Sequence, residues 1–599
     1  DKDGDPVFPS VKSPECFQPN ALGVLPPRDV LPVIFVPGIA GTNLRRGQEN
    51  TWAPPNSALG GIGQAISAKT RTNKTRQRLF NPDETEINPD GKCAIGNKTY
   101  WLDSDEARKR GWGALHAMSY HAFLQKLETS LNDQCTLPGH PLGAGGNYLL
   151  PEIGMLRHLG AEPVTARQWD EPDYAEAVKE TTQAWGKTLP ALSDDEIQRL
   201  DDYYYPVWAY GYNWLKDAEE AASGLVSYID AVLAHYDKSA YFRHQGKVIL
   251  VTHSMGGLIA RRGAQLAPDK VLGIVHGVQP TVGAAVLYRR LRAGQEIKHF
   301  FDIAGRVVAA IMGRNQEDMT VQLARCPGPF ALAPTKDHPP HWLRVYGGDR
   351  EDGGDLLFSL PESDPYTEIY AKTTEDVWWG MVDPSLMDPL GEMTGEDEPG
   401  GEDEAGEGEK LTPKKAYGKA IEKAAMFHDR LGLYAHPETY GYYGTAEENS
   451  FGYVGWTCPA GVDSYTDCYE DEACTRPLRR DYFKTAPGKG QQSGKAHVPV
   501  YRKAAAAVYT EDSLLRAREL AGGERLVSFR LPNTRNQAGD GTVAKDSGEY
   551  LEKLTPQLKE VLGIPGFEHQ SAFDDLHAYR ATIYFIARIV QKAAPPLPC

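Results

Sequence analysis

Residues 247–257 read KVILVTHSMGG, and this stretch decides the fold. Lys247–Thr252 is a short, continuous apolar run rich in β-branched residues, the composition of a strand buried on both faces of a parallel sheet. Thr252–Gly257 (THSMGG) closes the run, and Leu258–Gln265 continues with helical character. Strand, sharp turn and helix in that order present a serine at the turn as a nucleophile. Such a turn strains the serine backbone, so its neighbours have to be small, and Gly256 meets that need on one side. The G-x-S-x-G spacing is broken at its first position, where Thr252 replaces glycine; threonine is small enough to be a tolerated variant. The helix aims its N-terminus at Ser254, which favours negative charge developing there. Ser254 is the candidate nucleophile, and the competing reading is an inert serine-glycine turn in a βα loop.

Working outward, four more stretches have strand character: Leu31–Val36 (LPVIFV, ended by Pro37-Gly38), Tyr205–Tyr210, Val271–Val278 (VLGIVHGV) and Leu526–Leu531 (LVSFRL). Between the second strand in chain order and Lys247–Thr252 lies Asp217–His235, whose Ala221, Leu225, Tyr228, Ile229 and Val232 recur at helical spacing. This alternation predicts an α/β fold with a mostly parallel central sheet flanked by helices. The expected core is discontinuous, residues 1–50, 201–292 and 521–599. A polar, turn-rich first insertion, 51–200, interrupts it, and so does a cap or lid insertion, 293–520. Gly391–Lys410 within the cap is acidic and low in complexity, and is expected to be a mobile surface loop.

A nucleophilic serine needs a base, and the base needs an orienting acid; in α/β hydrolases they follow the serine as acid, then histidine. Asp540 sits in a glycine-flanked turn, Gly539–Val543 (GDGTV), beyond Leu526–Leu531. Asp349, Asp352 and Asp355 compete with it from a polar Gly-rich loop that reads more simply as solvated. Only His569 and His577 follow Asp540. His569 lies in a short loop, Ile564–Gln570, before a helix, where a side chain can swing over the serine; His577 falls on that helix's apolar face and reads as core packing. For the oxyanion hole one backbone N–H is expected from Met255, after the nucleophile. The other is expected from Ile39, because Gly38 lets the Pro37–Gly41 loop turn the next amide inward.

With 64 Lys and Arg against 81 Asp and Glu, the formal charge is −17, which argues against nucleic-acid binding. No apolar run is long enough to span a bilayer, and Asp1–Ser10 has neither the basic nor the apolar region of a signal peptide, although the chain does not begin with Met. Eight cysteines are too sparse for a disulfide scaffold, and the spacing of Cys458, Cys468 and Cys474 does not read as a zinc site. No metal or cofactor is expected.

Two features of the cap bear on substrate. Ile297, Phe300, Phe301, Ala304, Val307, Val308 and Ile311 form an apolar stripe that is either core packing or a lid over an acyl-chain site. Val377–Val382 (VWWGMV) offers tryptophans suited to a bilayer interface.

Val36–Gly41 (VPGIAG), Tyr210–Trp214 (YGYNW), Thr252–Gly257 and Gly539–Val543 together resemble the lecithin:cholesterol acyltransferase and GPI-inositol-deacylase branch of the α/β hydrolases. That resemblance implies that Asp540 completes the triad and that Ile39 supplies an oxyanion amide. The departure is Asn213, where that branch usually has aspartate. Arg110–Tyr120 (RGWGALHAMSY), His276–Gly283 (HGVQPTVG) and Gly566–Phe573 (GFEHQSAF) are similar to bacterial type VI secretion lipase effectors with such a core. This second resemblance implies a phospholipase A-type toxin acting on membrane phospholipid in the periplasm of a rival bacterium. It further implies loading on a component of the secretion apparatus without a classical signal peptide, and neutralisation in the producer by a cognate immunity protein. The alternative is a soluble carboxylesterase, thioesterase or acyltransferase of the same fold.

Overall fold

The computed structural model describes residues 28–54, 71–93, 95, 102–132, 155–159, 175–239, 241–296, 312–346, 356–393, 411–457, 496–503, 524–532, 534–554 and 559–595. Six strands form the central sheet: β1 (Val33–Val36), β2 (Val207–Ala209), β3 (Val248–His253), β4 (Val271–Gly277), β5 (Thr439–Gly444) and β6 (Glu560–Ile564). Their spatial order is β2-β1-β3-β4-β5-β6, and every neighbouring pair is parallel. Chain order therefore reverses between β1 and β3, a switch point where the connections leave in opposite directions and open a crevice at the strands' C-terminal ends. The Pro37–Gly41 loop and Ser254 both emerge there.

Period-2 alternation sorts the buried strand residues onto two faces. Ile34, Val36, Val248, Leu250 and Ile274 join one core, while Val33, Phe35, Ile249, Val251 and Val275 join the other. Burying each such side chain contributes about 1.5–3 kcal/mol. Four helices matter for the site: α1 (Ala117–Asn132), α2 (Ala218–Tyr236), α3 (Met255–Leu266) and α4 (Leu576–Val590). Helix α2 brings Ala222, Leu225 and Ile229, and α3 brings Leu258 and Ile259, to the first face; α1 brings Phe123 and Leu124, and α4 Ile583 and Phe585, to the second. Asp217 caps α2 by accepting from the Glu219 amide at 3.0 Å.

Three expectations need correction. Leu526–Leu531 is a strand, Glu524–Leu531, but it belongs to a separate five-stranded sheet with Leu343–Tyr346, Leu356–Leu360, Val454–Thr457 and Ala496–Lys503. The two places beyond β4 in the central sheet go instead to β5 and β6. Secondly, the proposed division at 293–520 crosses the sheet, because β5 lies between β4 and β6; likewise α1, from within 51–200, roofs one face. Strand β5 (TYGYYG) was illegible because glycine and tyrosine replace the aliphatic run expected of a buried strand. Thirdly, Trp378 and Trp379 are buried, packed near Trp456 and Phe358, and offer nothing to a bilayer. The stripe Ile297–Ile311, residues 394–410, Asp349, Asp352, Asp355, Cys458, Cys468 and Cys474 lie outside the described residues. Among the described residues no helix is long and apolar enough to cross a membrane.

Candidate active site

Strand β3 delivers the chain to Ser254, and α3 begins at the next residue. Ser254 has φ +52° and ψ −124°, a conformation that costs a non-glycine residue about 1–3 kcal/mol and persists only where its surroundings enforce it. Those surroundings are tight: a Cβ at Gly256 would lie 2.3 Å from the Val36 carbonyl oxygen and 2.5 Å from that of Pro37. The Ser254 amide donates to the Gly277 carbonyl at 3.0 Å, pinning the elbow to the end of β4. Thr252, in the place of the usual glycine, is fully buried and hydrogen-bonds His276 Nδ1 at 3.0 Å.

Asp540 follows a short strand, Gln537–Gly539, which pairs with Ala446–Ser450 just beyond β5. Its carboxylate is oriented by its own turn: Oδ1 accepts the amides of Thr542 (3.0 Å) and Val543 (2.7 Å), leaving Oδ2 free to face elsewhere. Gly541 takes φ +94° within the turn. Ser450 braces it, its hydroxyl accepting the Gly541 amide at 2.9 Å and donating to the Val543 carbonyl at 3.0 Å. His569 reaches the same place from the short loop after β6, and its amide donates to the Asp540 carbonyl at 2.7 Å.

The structure brings Ser254, His569 and Asp540 together, all buried. His569 Nδ1 lies 2.8 Å from Asp540 Oδ2, and His569 Nε2 lies 2.8 Å from Ser254 Oγ. A carboxylate only accepts, so Nδ1 carries the proton and Nε2 presents its lone pair to the serine hydroxyl. This is the tautomer a general base needs. His577, the alternative histidine, sits half-buried in the first turn of α4, where its carbonyl accepts from Trp185.

The fold is that of an α/β hydrolase. A solved structure described as "The crystal structure of Tle4-Tli4 complex" contains a chain that is 25% identical, with a TM-score of 0.66, over 94% of this chain and 98% of that one. Comparison of the sequence with protein-family models and with curated proteins finds no match.

The two amides expected at the oxyanion hole lie in elements bordering Ser254. Met255 is the first residue of α3, so the helix itself provides no acceptor for its N–H. Ile39 follows Gly38, whose hypothetical Cβ would lie 3.0 Å from Ser254 Cβ and 2.8 Å from His253 Nδ1. The loop turns through a Gly41 amide bond to the Gly38 carbonyl at 3.0 Å, with Ala40 at φ +60°. Asn213, the departure from the resembled branch, serves its own turn: its amide donates to Thr85 at 2.7 Å and its oxygen accepts the Leu215 amide at 3.1 Å. Among the described residues no cluster of three His, Cys, Asp or Glu could hold a metal ion. A cavity of about 410 Å³, lined by residues including Asp83, Lys216, Glu220, Arg325 and Lys423, shares no residue with this site.

Tyr120 and His253 lie within the stretches 110–120 and 252–257 and Ser450 lies in neither, but nothing in those stretches shows what the three side chains touch. Tyr120 is 133 positions from its partner His253, and Ser450 is 91 from Gly541, so only the fold pairs them.

Proposed function

We propose that this chain is a serine lipase of the phospholipase A type that hydrolyses membrane glycerophospholipid esters, and that it acts as an antibacterial type VI secretion effector. The observation that supports the chemistry is the pair of 2.8 Å contacts from His569, one to Ser254 and one to Asp540, which assign the proton to Nδ1. Ser254 Oγ attacks the ester carbonyl as its proton passes to His569 Nε2, and Asp540 holds the resulting imidazolium in place. The Ile39 and Met255 amides receive the oxyanion, a contribution worth about 10²–10³ in rate per donor. His569 then protonates the leaving alcohol, activates water, and the acyl-enzyme is hydrolysed with Ser254 restored.

The effector reading rests on the motif resemblance in 110–120, 276–283 and 566–573 and on the likeness to a chain solved in a two-component complex. It assigns the chain a cognate immunity protein, a docking component on the secretion apparatus and a site of action in the target periplasm. One observation favours a second reading, a soluble esterase, thioesterase or acyltransferase: Trp378 and Trp379 are buried and cannot anchor the protein at an interface.

Fatty-acid release from phospholipid vesicles and from a short water-soluble ester, for wild type and Ser254→Ala, separates the two. Vesicle hydrolysis well above the short-ester rate and absent in the variant is the expected result. Hydrolysis of the short ester alone would replace the phospholipase with the second reading. Directing the wild-type chain, but not Ser254→Ala, to the periplasm of a test bacterium is expected to stop its growth; unaffected growth would overturn the toxin reading.

A further inference from the structure

His253 immediately precedes the nucleophile, is fully enclosed, and makes two contacts that the reaction itself does not require. Its Nε2 lies 2.9 Å from the main-chain carbonyl oxygen of His569, and its Nδ1 lies 3.0 Å from the Tyr120 hydroxyl. A carbonyl only accepts, so Nε2 must carry the proton; Nδ1 is then the acceptor and Tyr120 the donor. Burial, reinforced by the neighbouring His569, holds the His253 imidazole at a pKa of about 3, so it stays neutral near neutral pH. Burial pushes the Tyr120 hydroxyl up to about 12, so it keeps its proton.

The Tyr120 oxygen, having donated to His253, still has lone pairs. The Gly38 amide points at it from 3.4 Å, and a Cβ at Gly41 would lie 2.8 Å away, so the hydroxyl sits against the Pro37–Gly41 loop. A continuous path thus runs from the Gly38 amide to Tyr120, to His253, to the His569 carbonyl. The Gly38 amide is thereby engaged by Tyr120, which leaves the next amide along the loop, that of Ile39, as the one assigned to the oxyanion. Phe573 stacks on Phe123 of α1 with ring centroids 4.0 Å apart and packs against the His253 ring at 5.8 Å.

Resting on the serine-hydrolase reading, we propose that His253 and Tyr120 are positioning residues that lock the base loop and the oxyanion loop into one unit. Neither touches substrate. His253 fixes the His569 main chain, opposite to the grip that the Asp540 carbonyl exerts on its amide, so that the ring can meet Ser254 and Asp540 together. Tyr120 fixes the orientation of His253 and the turn that exposes Ile39.

The test uses the full chain with p-nitrophenyl butyrate as substrate and a fluorophosphonate to count functional sites. For Tyr120→Phe, kcat per titrated site is expected to fall about 10-fold, and for His253→Met about 10²-fold, with KM within about 2-fold of wild type. His253→Gln, whose amide can replace the Nε2–H donor, is expected to recover most of that loss. In the His253→Met background Tyr120→Phe should cost less than it does alone, because the two act in series. A merely structural role would lower the titratable fraction and leave kcat per site unchanged, and that result would overturn the proposal. Equal losses for His253→Gln and His253→Met would also overturn it. Wild-type inactivity, or activity that survives Ser254→Ala, would instead remove the hydrolase reading and this proposal with it.

Discussion

Ser254 is presented by a contiguous stretch, β3 through α3, that packs against the ends of β1 and β4, whereas the Asp540 turn is braced by a hydroxyl from a segment nearly a hundred residues away. At the elbow, close packing does the holding: Gly256 fits against the carbonyls of Val36 and Pro37, and the strained φ of Ser254 follows from strand and helix meeting at that angle. At the acid, hydrogen bonds do it: two turn amides, the Ser450 hydroxyl and the end of β5 define where one carboxylate oxygen points. A nucleophile encoded locally can be read from a hexapeptide. An acid encoded by tertiary contacts can be located by its turn, but its support cannot.

The largest effects are expected at the reacting groups. Ser254→Ala is expected to lower kcat by about 10⁴-fold or more with the thermal midpoint nearly unchanged, and Asp540→Asn by about 10⁴-fold through the wrong His569 tautomer. Stopped assays on a short ester check both, and a loss under about 10-fold in Asp540→Asn would detach the acid from the site.

Next come the glycines that seat each residue. Gly256→Ala pushes a methyl into main-chain oxygens and is expected to cost about 1–3 kcal/mol of stability together with activity. At Gly444, the last residue of β5, a Cβ would lie 2.6 Å from Asp540 Cβ, so Gly444→Ala should displace the acid turn and lose activity ahead of stability. Urea midpoints measured beside kcat decide whether the two sites fail differently; parallel losses would erase the distinction.

Ser450→Ala leaves the buried Gly541 amide and one Val543 carbonyl contact unmade, for an expected cost of about 1–3 kcal/mol. Activity should fall by less than in Asp540→Asn, because Oδ1 keeps its two turn amides.

The smallest effect is in pH. His253 and His428 are held by burial at about 3 and about 4, below the ordinary histidine value of about 6.5. The unfolded chain therefore binds protons that the folded one refuses as pH falls from about 6.5 toward 4, and stability drops through that window. His428, whose Nε2 donates to the Ala331 carbonyl at 2.8 Å, can be tested alone. His428→Gln is expected to flatten the fall in urea midpoint between pH 7 and pH 5 by an equivalent of about 1–2 kcal/mol. An unchanged slope would show that this histidine titrates normally when folded.

Against this background, what was legible follows from where the determinants lie. Four of the five expected strands entered the central sheet because a short apolar or aromatic run is a local signal, sharpened by Pro37-Gly38 after the first and by the Ser254 turn after the third. Leu526–Leu531 carries the same local signal but pairs with Ala496–Lys503 in another sheet, and pairing partners are not written in periodicity. Strand β5 was hidden by its Gly and Tyr content, and with it the reason that residues 411–457 cannot be set apart from the core. Ser254, His569 and Asp540 came from motif and chain order, while the residues that orient them, Tyr120, His253 and Ser450, act through contacts that only folding creates.

Whether Ser254, His569 and Asp540 act as one nucleophilic unit is decided by fluorophosphonate labelling followed by peptide mapping. A single adduct on Ser254 is expected in the wild-type chain, with labelling slowed by about 10²-fold or more in folded His569→Gln. An adduct on another residue, or labelling of Ser254 at an undiminished rate without His569, would contradict such a unit.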